Sequence, residues 1–143
     1  MSAPNSALAA EQAFYAAFER GELDDMLAVW ATGPDITCIH PMGPVLTGHA
    51  AIRASWAEIL SVHVPRKIEI ERIRVITTPT LVLHVVYESL SLPLHRQRFA
   101  PMAAINGYRP FEDGWRMVLH HASPVGGIEQ ETVGQADLNT TRH

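Results

Sequence analysis

The chain has 143 residues, 47% of them hydrophobic and 18% charged, the proportions of one globular domain able to bury a core without disulfides or a structural metal. Eleven Lys and Arg against fifteen Asp and Glu leave a formal charge of −4, which disfavours non-specific binding to nucleic acid or to an anionic membrane. Cys38 is the single cysteine, so an intrachain disulfide and a thiolate zinc cluster are both excluded. The first ten residues lack the basic start and apolar run of a secretory signal, and no apolar stretch approaches the roughly 20 residues of a membrane span. A cytoplasmic protein is expected.

Ala10, Ala13, Phe14, Ala17 and Phe18 recur at the spacing of one helical stripe, and Gly21 follows as its stop. A second helix opens with Asp24 and Asp25, carboxylates that suit the positive end of the helix dipole. It repeats the stripe at Leu23, Met26, Leu27 and Trp30 before Gly33-Pro34 breaks it. Residues 36–40 read as a short strand rich in β-branched side chains, closed by Pro41 and Gly43. Ile52, Trp56, Ile59, Leu60 and His63 define a third helix, entered at Thr47-Gly48 and ended by Pro65. From there the period falls to two. Residues 67–77 alternate as Ile68 and Ile70, then Ile73 and Val75, a one-residue slip near Glu71-Arg72 of the kind a β-bulge makes. Strands follow over 81–92, 98–109 and 115–123, the last two joined by a turn at Glu112-Asp113-Gly114. This order predicts an α+β fold, helices on one face of a curved antiparallel sheet, in a single domain over residues 1–125. Residues 126–143 turn polar and read as a tail or as an arm on a partner.

No GxGxxG, Walker, HExxH or GxSxG motif occurs, so any chemistry rests on scattered side chains. His120 and His121 are adjacent on a strand, point to opposite faces and cannot chelate one ion together. Neither a metal nor a cofactor is expected. Trp115, Met117, Leu119, His121 and Ser123 share one strand face, which begins apolar and ends in His and Ser, the pattern of a pocket mouth. A hydrogen-bonded core histidine at 121 fits that pattern as well. A two-residue loop at Glu112-Asp113 sets Ala104 opposite His121, Asn106 opposite Leu119 and Met102 opposite Ser123, which brings Asn106 onto the same concave face. Its amide either satisfies buried backbone groups or donates to a ligand. His40 ends the short strand before Pro41-Met42-Gly43, and its near-neutral titration range suits an acid or base, or it simply caps the strand. Cys38 reads as a buried, inert thiol. The opposite face of the last strand carries Val118, His120 and Ala122, is apolar for an open sheet surface, and predicts a homodimer through it.

Leu27-Ala-Val-Trp30, Ile36-Thr-Cys-Ile-His-Pro41, Leu46-Thr-Gly48 with Ala51-Ile52 and Ser55-Trp56, and Asp113-Gly-Trp-Arg-Met117 through His120-His-Ala-Ser-Pro124 together resemble the SnoaL-like branch of the nuclear-transport-factor-2-like superfamily, over about residues 5–125. The resemblance implies a cystatin-like cone, a curved antiparallel sheet wrapped by three N-terminal helices around a pocket for a small hydrophobic or carbonyl-bearing molecule, commonly in dimers. The superfamily holds ketosteroid isomerases, dehydratases and cyclases as well as non-catalytic pockets, so the fold alone does not set the activity. Against the isomerases, His40 stands where their catalytic Asp precedes a Pro, Asn106 where their oxyanion-donating Asp lies, and Phe14 where their oxyanion tyrosine lies, with Tyr15 one residue away. The combined reading names His40, Asn106 and His121 as proton-transfer groups. Phe14, Trp30, Trp56, Met102, Leu119 and Ser123 are the expected ligand wall. A binding module without turnover is the alternative. Met42-Gly-Pro44, Gly107 and Pro110 depart from the family pattern at the pocket rim.

Overall fold

Ser6 opens the first helix by accepting Ala9 N–H on its hydroxyl at 3.0 Å. Helix α1 (Ala7–Arg20) ends at Gly21, whose φ of +72° is the left-handed stop that a side chain would strain. Helix α2 (Leu23–Val29) folds back on it, with Asp24 and Asp25 in its first turn as expected. The computed structural model describes residues 3–126. The polar segment expected as a tail or arm lies, from residue 127 on, outside the described residues.

Strand β1 (Thr37–Ile39) turns at His40–Pro44 into β2 (Val45–Thr47), a three-residue strand too short to show a period in the sequence. Helix α3 (His49–Leu60) follows. The long strands are β3 (Lys67–Thr77), β4 (Val82–Leu92), β6 (Met102–Phe111) and β7 (Gly114–Pro124), with the two-residue β5 (Gln97–Arg98) beside β4. Pro101, which has no N–H to pair, separates β5 from β6, so the strand expected over 98–109 is divided. The sheet runs β2-β1-β7-β6-β4-β3. It is mixed rather than all antiparallel, because β1 pairs β7 in parallel, Cys38 against His120. Among the described residues, no helix is long and apolar enough to cross a membrane.

Two bulges shape the sheet. One interrupts β3 between Arg72 and Arg74, where the sequence slips phase. The other lies between β6 and β7: Gly107 pairs with Leu119 and Tyr108 with Met117, so Val118 is supernumerary. That single residue moves every later β7 side chain to the face opposite the one expected. His120 and Ala122 turn into the core, while His121 is exposed on the outer face and pairs with Ile105 instead of Ala104. Asn106 accordingly faces His120 across the pair, not Leu119. A Cβ on Gly107 would stand 3.1 Å from Leu119 Cβ and 3.2 Å from Leu83 Cδ2, so the glycine leaves room for the displaced Leu119.

The core lies between the helices and the concave face, built on Phe14, Met26, Trp30, Ile52, Trp56 and Met117. The Phe14 ring meets Trp56 edge-on at 5.5 Å, joining α1 to α3. Phe14→Ala is therefore expected to lower unfolding free energy by about 3–5 kcal/mol, read from the midpoint of urea denaturation.

Candidate functional site

A cavity of about 340 Å³ opens between α3, the end of α1 and the concave sheet. Its walls are mostly apolar, with Phe18, Trp56, Ile59, Leu90, Met102 and Ala122 among them. Three polar side chains reach it: His40 from the end of β1, Glu88 from β4 and His120 from β7.

Behind the cavity runs a buried hydrogen-bond chain. Tyr15 on α1 donates its hydroxyl to Glu88 Oε2 at 2.5 Å. Asn106 on β6 donates Nδ2–H to that hydroxyl at 2.9 Å. The Asn106 carbonyl oxygen accepts from His120 Nδ1 at 2.6 Å. An amide oxygen only accepts, so His120 carries its proton on Nδ1 and its lone pair on Nε2. Burial pulls the His120 pKa down to about 3, helped by the neighbouring His40 and His121 charges. Burial raises the Glu88 pKa, the Tyr15 hydrogen bond to the charged form restrains that rise, and Glu11 adds to it. Burial and the Glu88 charge push the Tyr15 phenol well up, so it stays a donor.

His40 is fixed by helix α3. The Ser55 hydroxyl donates to Ile52 O at 2.8 Å, so it can only accept from His40 Nε2, 2.9 Å away. The ring stands edge-on to Trp56 at 4.9 Å. Its proton is on Nε2, its lone pair on Nδ1, and burial lowers its pKa. Cys38 Sγ lies 3.5 Å from His40 Nε2, but burial pushes its thiol up to about 12, with the Glu88 charge adding to the rise, so it is not a nucleophile at neutral pH.

Of the residues expected at the site, His40, Trp56 and Met102 line the cavity. Asn106 is fully buried behind His120 and engaged on both ends of its amide. Phe14 packs in the layer behind, 5.0 Å from the His120 ring. Trp30 bridges to Met117 away from the cavity. The β7 bulge carries His121, Leu119 and Ser123 to the other side of the sheet, where Leu119 lines a separate outer groove with Leu83 and Phe111. His120 occupies the place expected for His121. Sequence reasoning also missed Glu88 and the role of Tyr15. The signal for Glu88 was present, since Val82, His84, Val86 and Glu88 share the inward phase of β4. Among the described residues no cluster of three or more His, Cys, Asp or Glu is placed to hold a metal ion.

A curved sheet wrapped by three helices is the cystatin-like fold, which this chain shares with solved structures of that description. The chain belongs to the SnoaL-like domain family, whose model matches residues 7–126. A structure from Thiobacillus denitrificans, provisionally named a calcium/calmodulin-dependent protein kinase type II association domain, is 39% identical, with a TM-score of 0.82 over 87% of this chain and 99% of that one. A provisionally named dehydratase of the NTF2-like family from Streptomyces avermitilis is 29% identical, with a TM-score of 0.73 over 81% of this chain and 91% of that one. A ketosteroid isomerase-like protein from Erwinia carotovora atroseptica shares the fold at a TM-score of 0.67 and 15% identity, over 83% of this chain and 93% of that one. Comparison with curated proteins gave no match.

The His120 environment makes a stability prediction with a definite sign. Below pH of about 6.5 the unfolded imidazole takes up a proton that the folded one refuses until about 3. Stability from this group is complete above that window and falls with acidification by up to about 1.4 kcal/mol per pH unit. Urea titrations across the window should show the loss, and His120→Gln should flatten it by one proton's worth.

Proposed function

We propose that this chain is a small-molecule pocket protein that holds a mostly apolar, oxygen-bearing ligand against His40 and moves a proton on it. The observation that carries the reading is His40 itself: a neutral imidazole on the wall of an apolar cavity, anchored through Nε2 by Ser55, with its Nδ1 lone pair left over. Desolvation favours the uncharged ring and so keeps a base available at pH 7. In the step proposed, Nδ1 takes a proton from a carbon beside a carbonyl, the C–H electrons form C=C, and the carbonyl π pair moves to oxygen. The imidazolium then returns its proton to that oxygen or to a second carbon. The dehydratase name of the Streptomyces relative suits chemistry begun by such a proton removal.

One observation favours the second reading, binding without turnover. Tyr15 donates to Glu88, and Asn106 donates to Tyr15 while accepting from His120, so neither donates to a ligand oxyanion as the comparison with isomerases required. Deuterium uptake from D2O into 2-tetralone separates the two. Catalysed exchange that is lost in His40→Ala, with unfolding free energy changed by less than about 1 kcal/mol, supports proton transfer. Binding without catalysed exchange supports the binding module, and a His40→Ala protein as active as wild type refutes the role of His40.

The same proposal includes a homodimer and a cytoplasmic location. His120 and Ala122 face the core, so they do not form the dimer surface first expected; the outer sheet face offers Ile76, Leu83, Ile105 and Leu119 instead. Ile105 and Ile76 are 40% and 52% exposed, apolar surface that a partner copy would cover. Light scattering at micromolar concentration should give a dimer mass, and Ile105→Glu should give a monomer with unchanged helix content.

A further inference from the structure

We propose that the cavity selects, among apolar ligands of one size, those that present a hydroxyl hydrogen, because its polar side chains offer only lone pairs. This rests on the reading of the cavity as a small-molecule site; in the proton transfer proposed above it favours the enol product over the keto substrate at these atoms.

The two histidines reach the cavity with their N–H engaged elsewhere, and the Glu88 carboxylate has only acceptor oxygens. His40 Nε2–H is held by Ser55, which leaves Nδ1; its one hydrogen-bond contact among the described residues is the Cys38 thiol at 4.0 Å, a long, weak contact that a hydroxyl can replace. His120 Nδ1–H is held by Asn106, which leaves Nε2. Glu88 takes Tyr15 on Oε2, which leaves Oε1 without a hydrogen bond among the described residues. Neither His120 Nε2 nor Glu88 Oε1 is among the buried atoms closed off without a partner, and both residues wall the cavity. One donor stands nearby, the indole N–H of Trp56, but it is buried away from the cavity surface. A hydroxyl placed between these atoms finds an acceptor for its hydrogen. A carbonyl or ether oxygen of the same shape meets lone pairs with its own lone pairs and loses its water without compensation. For a ligand that shifts between keto and enol forms, the enol is the form this wall accepts.

The polarity is set at the far end of the chain. A Glu88 carboxylate has to receive a proton from Tyr15, Tyr15 then receives one from Asn106, and Asn106 can only accept from His120. Tyr15 is thus a positioning residue for the His120 tautomer. Without its hydroxyl the Asn106 amide is free to turn its NH2 toward His120 Nδ1, which moves the imidazole proton to Nε2.

Two measurements test this on the whole chain. Long-range 1H–15N correlation spectra at neutral pH should show the proton on Nδ1 in His120 and on Nε2 in His40; the opposite tautomer at either ring overturns the proposal. Fluorescence titration with 2-naphthol, 2-methoxynaphthalene and naphthalene should show the naphthol binding about ten-fold more tightly than either, the worth of one net hydrogen bond. Equal affinities overturn the selectivity and leave the pocket reading standing, and binding of none of the three overturns both. Tyr15→Phe, which keeps the ring and the core volume, should shift His120 toward the Nε2–H form and cut the preference to roughly three-fold or less; an unchanged tautomer and preference overturn the relay.

Discussion

A carboxylate removed from water has to be given hydrogen-bond donors, and Glu88 draws its donor from a different layer of the molecule. Tyr15 comes from α1, Asn106 from β6 and His120 from β7, so one chain of three hydrogen bonds ties the first helix to three strands. Glu11, four residues before Tyr15 and fully buried, repeats the device one turn earlier. It pairs with Arg72 of β3 at 2.5 Å and has His84 of β4 within 3.0 Å, close enough for an ion pair but out of hydrogen-bond alignment. Helix α1 therefore carries two adjacent inward stripes, an apolar one through Ala10, Phe14 and Ala17 and a polar one through Glu11 and Tyr15. The apolar stripe supplies burial energy, which has no direction. The polar stripe supplies the height and rotation of the helix, because a hydrogen bond at 2.5 Å tolerates no sliding. The cavity floor is set by that height.

Burial also decides which state each titratable group brings to the cavity. Desolvation disfavours charge, so the two histidines become neutral acceptors, while Glu88 keeps a donor from Tyr15 to offset its own desolvation. A neutral histidine still has to place one proton, and the fold places it twice by the same device, an acceptor with no alternative: Ser55, whose hydrogen is held by Ile52, and Asn106 Oδ1. The tautomers follow from hydrogen-bond stoichiometry and are not left to the small intrinsic preference of imidazole.

The helices were legible in the sequence because their stripes at Phe14, Met26 and Trp56 are flanked by polar residues and closed by Gly21, Gly33 and Pro65. The β3 bulge was legible too, since charged residues on both sides of Ile73 make a phase slip visible. The β7 bulge was not. It falls within Met117-Val-Leu119, where neighbouring residues are all apolar and an extra one leaves no mark on the alternation. One hidden residue put His121 in the site in place of His120 and Leu119 on the wrong face, while Asn106, on the unbulged strand, was placed on the correct side. Glu11 and Glu88 escaped for another reason: carboxylates are usually exposed, and their partners lie 61 and 73 residues away in the chain.

The pairing of Glu88 with an asparagine, not an aspartate, at 106 has its own logic. The comparison with ketosteroid isomerases puts an acid at this position, a group that serves by donating one proton toward the ligand. In this chain the position sits between a histidine Nδ1–H that needs an acceptor and a tyrosine oxygen that can take a donor. An amide supplies both at once, from atoms fixed about 2.3 Å apart by its own covalent frame. An ionised aspartate would offer two acceptors, leave Tyr15 facing two carboxylates with a single proton, and set a second negative charge beside Glu88 in a region already short of water. Glu88 on β4 and Asn106 on β6 are thus one electrostatic decision made at two places in the sequence. Its consequence is that the polar end of this cavity turns its donors inward to the protein and leaves its lone pairs on the cavity side.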